Sequence, residues 1–308
     1  MNRHQRGYTL IELMISLLLG LLMISGFGSL FVQTQKNAVV QRSLSYMMED
    51  GRYILEVFGR ELRRAGSLRS KMTGGGGADV VFRASANVFG STMSLAAGDY
   101  IKGEYDSTGF GAAADKAYNV NRMVLRYQLN NNDELAQTDP YSTNSACERG
   151  ILLTAGEYPE SQPHVVTLYF YVAVDSTNVP VLYCWARRDN FTAGTSVAPS
   201  TAEPLISNVQ KLLITYGVDS DITADGEANY YATAGSVPAT INDSVAVAGT
   251  VPGWQRVVSA KLSVVLRTDD DNLATSSITY AVDGTSYTAT DRRLYRVSST
   301  TIAFRNKI

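Results

Sequence analysis

The residues able to do chemistry are few and lie far apart. Histidine occurs only at positions 4 and 164, and cysteine only at 147 and 184. A histidine-dependent triad, a zinc site or a two-histidine helix motif needs more imidazoles at closer spacing. Aspartates are plentiful, but no spacing singles out a general acid–base pair. Two acidic clusters stand out. Asp219-Ser-Asp221-Ile-Thr-Ala-Asp225-Gly226-Glu227 gathers carboxylates around a glycine turn. Such an oxygen-rich loop suits a hard cation such as Ca²⁺, although the third aspartate falls late for an EF-hand and no glutamate closes the pattern. Asp269-Asp270-Asp271 is the second cluster. For both, a solvated acidic turn is the ordinary reading, since aspartate favours turns anyway. One further carboxylate is out of place: Glu12 is the sole charge between Tyr8 and Val32.

That apolar stretch exceeds the roughly 20 residues needed to cross a bilayer. Arg3 and Arg6 precede it, so the positive-inside rule keeps the short N-terminus in the cytoplasm and sends the rest across the membrane. A secretory signal peptide needs a shorter apolar core with a small-residue cleavage site after it, whereas here the small residue, Gly7, comes before the run. A carboxylate deep in a membrane helix costs about 2.5–3.5 kcal/mol on insertion scales, and less near the interface where Glu12 sits. In an oxidising compartment Cys147 and Cys184 would close a loop of about 38 residues and stabilise by roughly 3–4 kcal/mol. The alternative is two buried thiols.

The segment Arg6-Gly7-Tyr8-Thr9-Leu10-Ile11-Glu12-Leu13 resembles the leader of type IV prepilins and pseudopilins. The resemblance implies that a prepilin peptidase cuts between Gly7 and Tyr8 and methylates the new N-terminus at Tyr8. The family usually has Phe there, and Tyr keeps the ring. It also implies an assembly role for Glu12. Cleavage would leave a cationic amine at Tyr8, one helical turn from Glu12, and a carboxylate is favoured at a helix N-terminus. In a filament Glu12 could pair with a neighbour's amine, offsetting its desolvation. The family often has a proline in mid-helix and this chain has none. Gly20, Gly26 and Gly28 are the weak points at about 1 kcal/mol each. Gly26–Ser29 is therefore read either as a place for bending or melting, or as small-residue packing between helices.

The helix should continue beyond the membrane. Val40, Leu44, Met47, Gly51, Ile54, Phe58 and Leu62 recur at helical spacing, and Ala65-Gly66 supplies a stop after Arg63 and Arg64. Residues 8–65 thus predict one helix of about 85 Å. Its end, from Met48-Glu49-Asp50-Gly51 to Glu61-Leu62-Arg63-Arg64-Ala65-Gly66, resembles that of PilW-like minor pilins. Beyond the Gly-rich loop 74–77, which no Gly-Lys-Ser/Thr follows as a phosphate-binding loop would require, strands dominate. They are expected at 122–129, 165–174, 179–186, 206–216 and 256–268, with a hairpin about Asp175–Asn178 and a closing hairpin made of 292–297 and 301–305. Segments 85–118, 186–204 and 222–252 read as long surface loops. The resemblance to PilW-like proteins extends to Val209–Asp219, to Trp254 before a Val-rich strand, and to Phe304-Arg305-Asn306.

With 27 Lys+Arg against 29 Asp+Glu, the chain lacks the basic excess of a nucleic-acid binder. Its 45% hydrophobic content is enough for a core. The fold class expected is α+β and pilin-like: a long N-terminal α-helix, membrane-spanning and then amphipathic, packed on an antiparallel β-sheet with long loops. The expected organisation is a cytoplasmic leader (1–7) removed by prepilin peptidase, a transmembrane or filament-core helix (8–35), its amphipathic continuation (36–66) and a periplasmic β-rich domain (67–308). The resemblance implies a non-enzymatic, cofactor-free minor pilin of the inner membrane that primes assembly of a type IV pilus and ends at or near its tip. Its partners would be other minor pilins and the major pilin, with a tip adhesin as a further one. A minor pseudopilin of a type II secretion system shares the leader and fold, and genomic neighbours would tell them apart. A membrane-anchored periplasmic enzyme or binding protein is the alternative from a different class.

Overall fold

The computed structural model describes residues 9–68, 82–85, 93–106, 120–129, 147, 151, 164–190, 194–198 and 201–305. One helix, α1 (Leu10–Arg64), runs 55 residues without a break, through Gly20, Gly26 and Gly28. It stops where the sequence changes character. The Ala65 N–H bonds the Glu61 carbonyl at 3.0 Å, and Gly66 takes the left-handed conformation (φ 76°) that ends many helices. The Gly66 N–H then donates to the Arg126 carbonyl at 2.9 Å, tying the helix end to a strand.

Among the described residues fourteen strands follow: β1 (Ile101–Asp106), β2 (Val120–Gln128), β3 (His164–Val174), β4 (Pro180–Asn190), β5 (Thr195–Val197), β6 (Glu203–Ser207), β7 (Val209–Val218), β8 (Tyr230–Thr233), β9 (Thr240–Asn242), β10 (Thr250–Pro252), β11 (Val257–Arg267), β12 (Thr279–Val282), β13 (Thr285–Thr288) and β14 (Tyr295–Ala303). They form two main antiparallel sheets. The first has the order β1-β2-β3-β4-β5, with β6 also paired to β4; the second has the order β14-β11-β7-β8. Two small hairpins, β9–β10 and β12–β13, complete the set.

One apolar core joins α1 to both sheets. Met47, Ile54, Val57, Phe58 and Leu62 are buried, with Phe58 against Phe170 at 4.8 Å between ring centroids. Of the apolar stripe read from sequence, Val40 and Leu44 are only half-buried, so docking starts near Met47. Gly51 sits where the helix backbone approaches β14 and β11 closely: a Cβ there would lie 2.6 Å from Ser298 Oγ and 3.3 Å from Leu266 Cδ1. The first sheet is covered on both faces. Met123, Leu125 and Tyr127 point to the helix side. Val124, Tyr169, Tyr171 and Trp185 form a second cluster opposite, with Met93 and Leu95. This double burial explains the almost unbroken apolar run in β3.

The α+β class, the single long helix and the hairpin about Asp175–Asn178 agree with expectation. Three readings are corrected. The strand expected at 206–216 is two strands in different sheets, because Asn208 at φ 63° turns the chain between β6 and β7. Asparagine tolerates this conformation better than most residues. The expected closing hairpin is one continuous strand, β14, paired with β11 from Ser259↔Ala303 to Arg267↔Tyr295. Its Ser-Ser-Thr centre looks like a turn in isolation, but Ser299 Oγ bonds Ser263 Oγ at 2.9 Å across the ladder. The three long loops also hold short strands: β1 within 85–118, β5 within 186–204, and β8, β9 and β10 within 222–252. The Gly-rich segment 74–77 lies outside the described residues.

Cys147 and Cys184 are disulfide-bonded with Cα atoms 5.5 Å apart, inside the usual range. Replacing both with serine should lower stability by about 4 kcal/mol in the chain-entropy picture, read as a lower unfolding midpoint of the detergent-extracted chain. An unchanged midpoint would mean that the bridge does not constrain the fold. Gly51→Val should cost about 1–3 kcal/mol by overpacking the α1–β14 contact, and the same melt should show it.

Candidate functional site

The feature that needs a functional account is the first half of α1. Its most apolar 18-residue window has a mean hydropathy of 2.3 and is 0% buried in the chain's own fold. Leucine, isoleucine, methionine and phenylalanine side chains from Leu10 to Phe31 are exposed on every side of the helix. Monomeric soluble proteins rarely leave contiguous apolar patches beyond a few hundred Å². The stretch from Leu10 to Val32 spans about 34 Å at 1.5 Å per residue, enough for a hydrocarbon core of about 30 Å.

Its few polar side chains suit such a medium. Ser16 Oγ donates to the Glu12 carbonyl at 2.8 Å, Ser29 Oγ to the Gly26 carbonyl at 2.9 Å and Thr34 Oγ1 to the Leu30 carbonyl at 2.8 Å. Each hydroxyl therefore finds its acceptor within the helix, as lipid requires.

The helix start is built by Thr9. Its backbone is extended (φ −78°, ψ 149°), its carbonyl accepts from the Leu13 N–H at 3.2 Å, and its Oγ1 accepts from the Glu12 N–H at 3.4 Å. Thr9 is thus the N-cap and Glu12 the third helical residue, the spacing of a capping box. The Thr-x-x-Glu signal stands in the sequence, where Glu12 is conspicuous as the sole charge of an apolar run and Thr9 is not. Glu12 lies exposed in the first turn, where the positive end of the helix dipole favours its charge. Gly7 and Tyr8, the expected processing positions, lie outside the described residues.

The acidic loop is partly assembled as expected. Asp219, Asp221 and Asp225 bring carboxylate oxygens within 4.8 Å of one another; Glu227 is not among them. Each of the three carboxylates is already engaged. Asp219 is wholly buried, accepts from the Asp221 and Gly226 N–H groups at 3.3 and 3.0 Å, and faces Arg256 Nη1 at 3.5 Å. Asp221 accepts from Asn229 Nδ2 at 3.2 Å, and Asp225 from the Glu227 N–H at 2.8 Å. Arg256 also reaches Asp243 at 2.8 Å. A guanidinium beside the buried carboxylate supplies the positive charge that a cation would bring, so these contacts alone account for the loop.

In the second cluster, Asp271 accepts from the Asn272 and Arg292 N–H groups, which hold its carboxyl below the usual range. His164 opens β3, buried, with Nδ1 at 3.1 Å from Arg188 Nη1. Tyr230 and Tyr231 are exposed on β8.

No curated protein and no solved structure matches this chain. Two family models do. The prokaryotic N-terminal methylation motif matches residues 2–28, which include Gly7, Tyr8 and Glu12. The family described as Type IV Pilus-assembly protein W matches residues 169–306, from within β3 to just past β14. One match falls on the N-terminal segment and the exposed half of α1, the other on the sheets seated on its second half; together they make the chain similar to PilW-like type IV minor pilins, and the motif with its long apolar helix fits an anchor in the inner membrane.

Proposed function

We propose that the chain is cut between Gly7 and Tyr8 by prepilin peptidase, methylated at Tyr8, held in the inner membrane, and then drawn into a type IV pilus as a subunit that primes assembly and stays at or near the tip. The observation that carries this reading is the uncovered apolar half of α1, which nothing in the chain's own fold buries. A helix of this kind has two stable settings: lipid, and a bundle of similar helices from other pilins. Moving between them exchanges one apolar environment for another, so the transfer into a filament has no large hydrophobic barrier. The other minor pilins and the major pilin are the partners this helix would meet, and a tip adhesin would bind the body instead. The body is larger than a repeated shaft unit needs, which favours a subunit used in few copies. Glu12 is the polar exception in the helix. In the membrane its position near the interface limits its cost, and in the filament a neighbour's N-terminal amine would pair with it.

The intact mass of the membrane-extracted protein should correspond to a chain that starts at N-methylated Tyr8. Retention of Met1–Gly7 in cells with active prepilin peptidase would overturn the proposal. Glu12→Ala should still be cleaved but be poorly incorporated. A charge-assisted hydrogen bond is worth about 1.5–3 kcal/mol, so pili per cell should fall about tenfold or more. Normal piliation in that variant would remove the carboxylate from the mechanism.

A further inference from the structure

The first sheet carries a cavity that helix-mediated assembly leaves without a role. Strand alternation sends Leu125 and Tyr127 of β2 into the core and Arg126 to the opposite face, away from α1. The register then sets Arg126, Thr167 and Arg187 in one row across β2, β3 and β4. The next row on that face holds Val165, Asp189 and Ser196, the last on β5. At neighbouring-strand spacing, the Cα atoms of Arg126 and Arg187 stand about 10 Å apart with Thr167 between them.

A cavity of about 270 Å³ opens over these rows, lined by Arg83, Ser85, Arg126, Arg187, Asp189 and Ser196 among others. Among the described residues Asp189 is the sole carboxylate of the lining, and it is already engaged: Arg187 Nε donates to one oxygen at 3.1 Å and Ser196 Oγ to the other at 2.6 Å. Arg187 Nη2 also bonds Ser85 Oγ at 2.9 Å. Arg126 has no ion pair among the described residues. Its Nη1 donates to the Arg83 carbonyl at 2.6 Å, its Nε has no hydrogen-bond partner, and the residue is 3% exposed. The hydroxyl of the neighbouring Thr167, fully buried and outside the cavity lining, has no partner either. Burial, and then the charge of Arg187, bring the Arg126 guanidinium down to about 10. The Arg126 guanidinium, beside an Arg187 that shares Asp189 with Ser196, leaves the described lining positive. Orphaned donors of this kind are rare in folded proteins and call for a partner.

We propose that this cavity is an oxyanion site that takes a carboxylate or phosphate group on a polar molecule of monosaccharide size, with Arg126 and Arg187 as the charged clamp and Ser85 and Ser196 as hydroxyl contacts. The guanidinium fork matches the geometry of both anions. The volume lies just under the usual small-molecule range of about 300–1,000 Å³, which limits the ligand to one compact unit. The site faces away from α1 and so is independent of the helix surface through which subunits would pack.

Isothermal titration of the detergent-extracted full chain, with sodium phosphate and sodium glucuronate as probes and glucose as the uncharged control, tests it. At least one anion should bind saturably while glucose does not. Glucuronate alone assigns a carboxylate ligand, phosphate alone a phosphate ligand, and both together the shared charge. Arg187→Gln should weaken binding at least tenfold, and Arg296→Gln, on exposed β14, should leave it unchanged. Arg187 is partly exposed, so its variant should fold, and circular dichroism checks this. Non-saturating heats with both anions, equal binding of glucose, or full affinity in folded Arg187→Gln would each overturn the proposal.

Discussion

Everything in this molecule hangs on the seam where Met47 to Leu62 of α1 lies against the sheets. A single helix has to satisfy two solvents. Up to about Val39 its large apolar side chains are exposed, and Val40 and Leu44 are only half-buried. From Met47 onward it must bury one face only. The burial of Met47, Ile54, Val57, Phe58 and Leu62 supplies on the order of 10 kcal/mol, as an upper figure for side chains moved out of water. It is gained over roughly four turns. Gly51 lets the backbone approach β14, and Phe58 enters the first sheet beside Phe170. The seam thereby holds both sheets to one axis, and the Gly66–Arg126 hydrogen bond closes it at the far end.

Charge is kept where the seam can afford it. Glu61 is wholly buried at the docked face, yet Arg60 Nε at 2.9 Å and Arg64 Nη1 at 3.5 Å neutralise it from the same helix. The Asp219–Arg256–Asp243 chain plays the equivalent part at the second sheet, fastening the loops after β7 and β9 to the turn before β11. Tyr100 belongs to the same region: its hydroxyl donates to the Val257 carbonyl, and burial and then Asp219 push its ionisation far above the ordinary range. In both places the ionised groups are paired at the edge of an apolar core and tie neighbouring elements to it.

Legibility in the sequence followed the reach of each signal. The helix was readable from end to end because its cues are local: an unbroken apolar run, then a stripe at helical period, then Ala65-Gly66. The strands with strong apolar content, β2, β3, β4 and β11, were readable for the same reason. Failures came where pairing outweighed composition. The middle of β14, Ser298-Ser299-Thr300, has turn chemistry by itself and becomes strand because β11 offers a partner throughout. Asn208 stood between two apolar runs with nothing local to say that it would divide them between sheets. At the helix start Glu12 drew attention through its oddness in an apolar run, whereas Thr9, equally part of the turn, looked ordinary. The row Arg126–Thr167–Arg187 was out of reach, since it exists only once three strands take their register.

The seam also decides how the molecule carries a pull. Tension arriving through the membrane-proximal end of α1 leaves the helix by way of the Met47–Leu62 side chains, because no backbone hydrogen bond joins the described part of the helix to β14 or β11. The load is thus spread over interlocked side chains along several turns rather than concentrated on one row of peptide groups. Such a joint has no end from which to unzip. It slips only if several knobs leave their seats together, while the Cys147–Cys184 bond ties β4 of the first sheet covalently to the segment at Cys147.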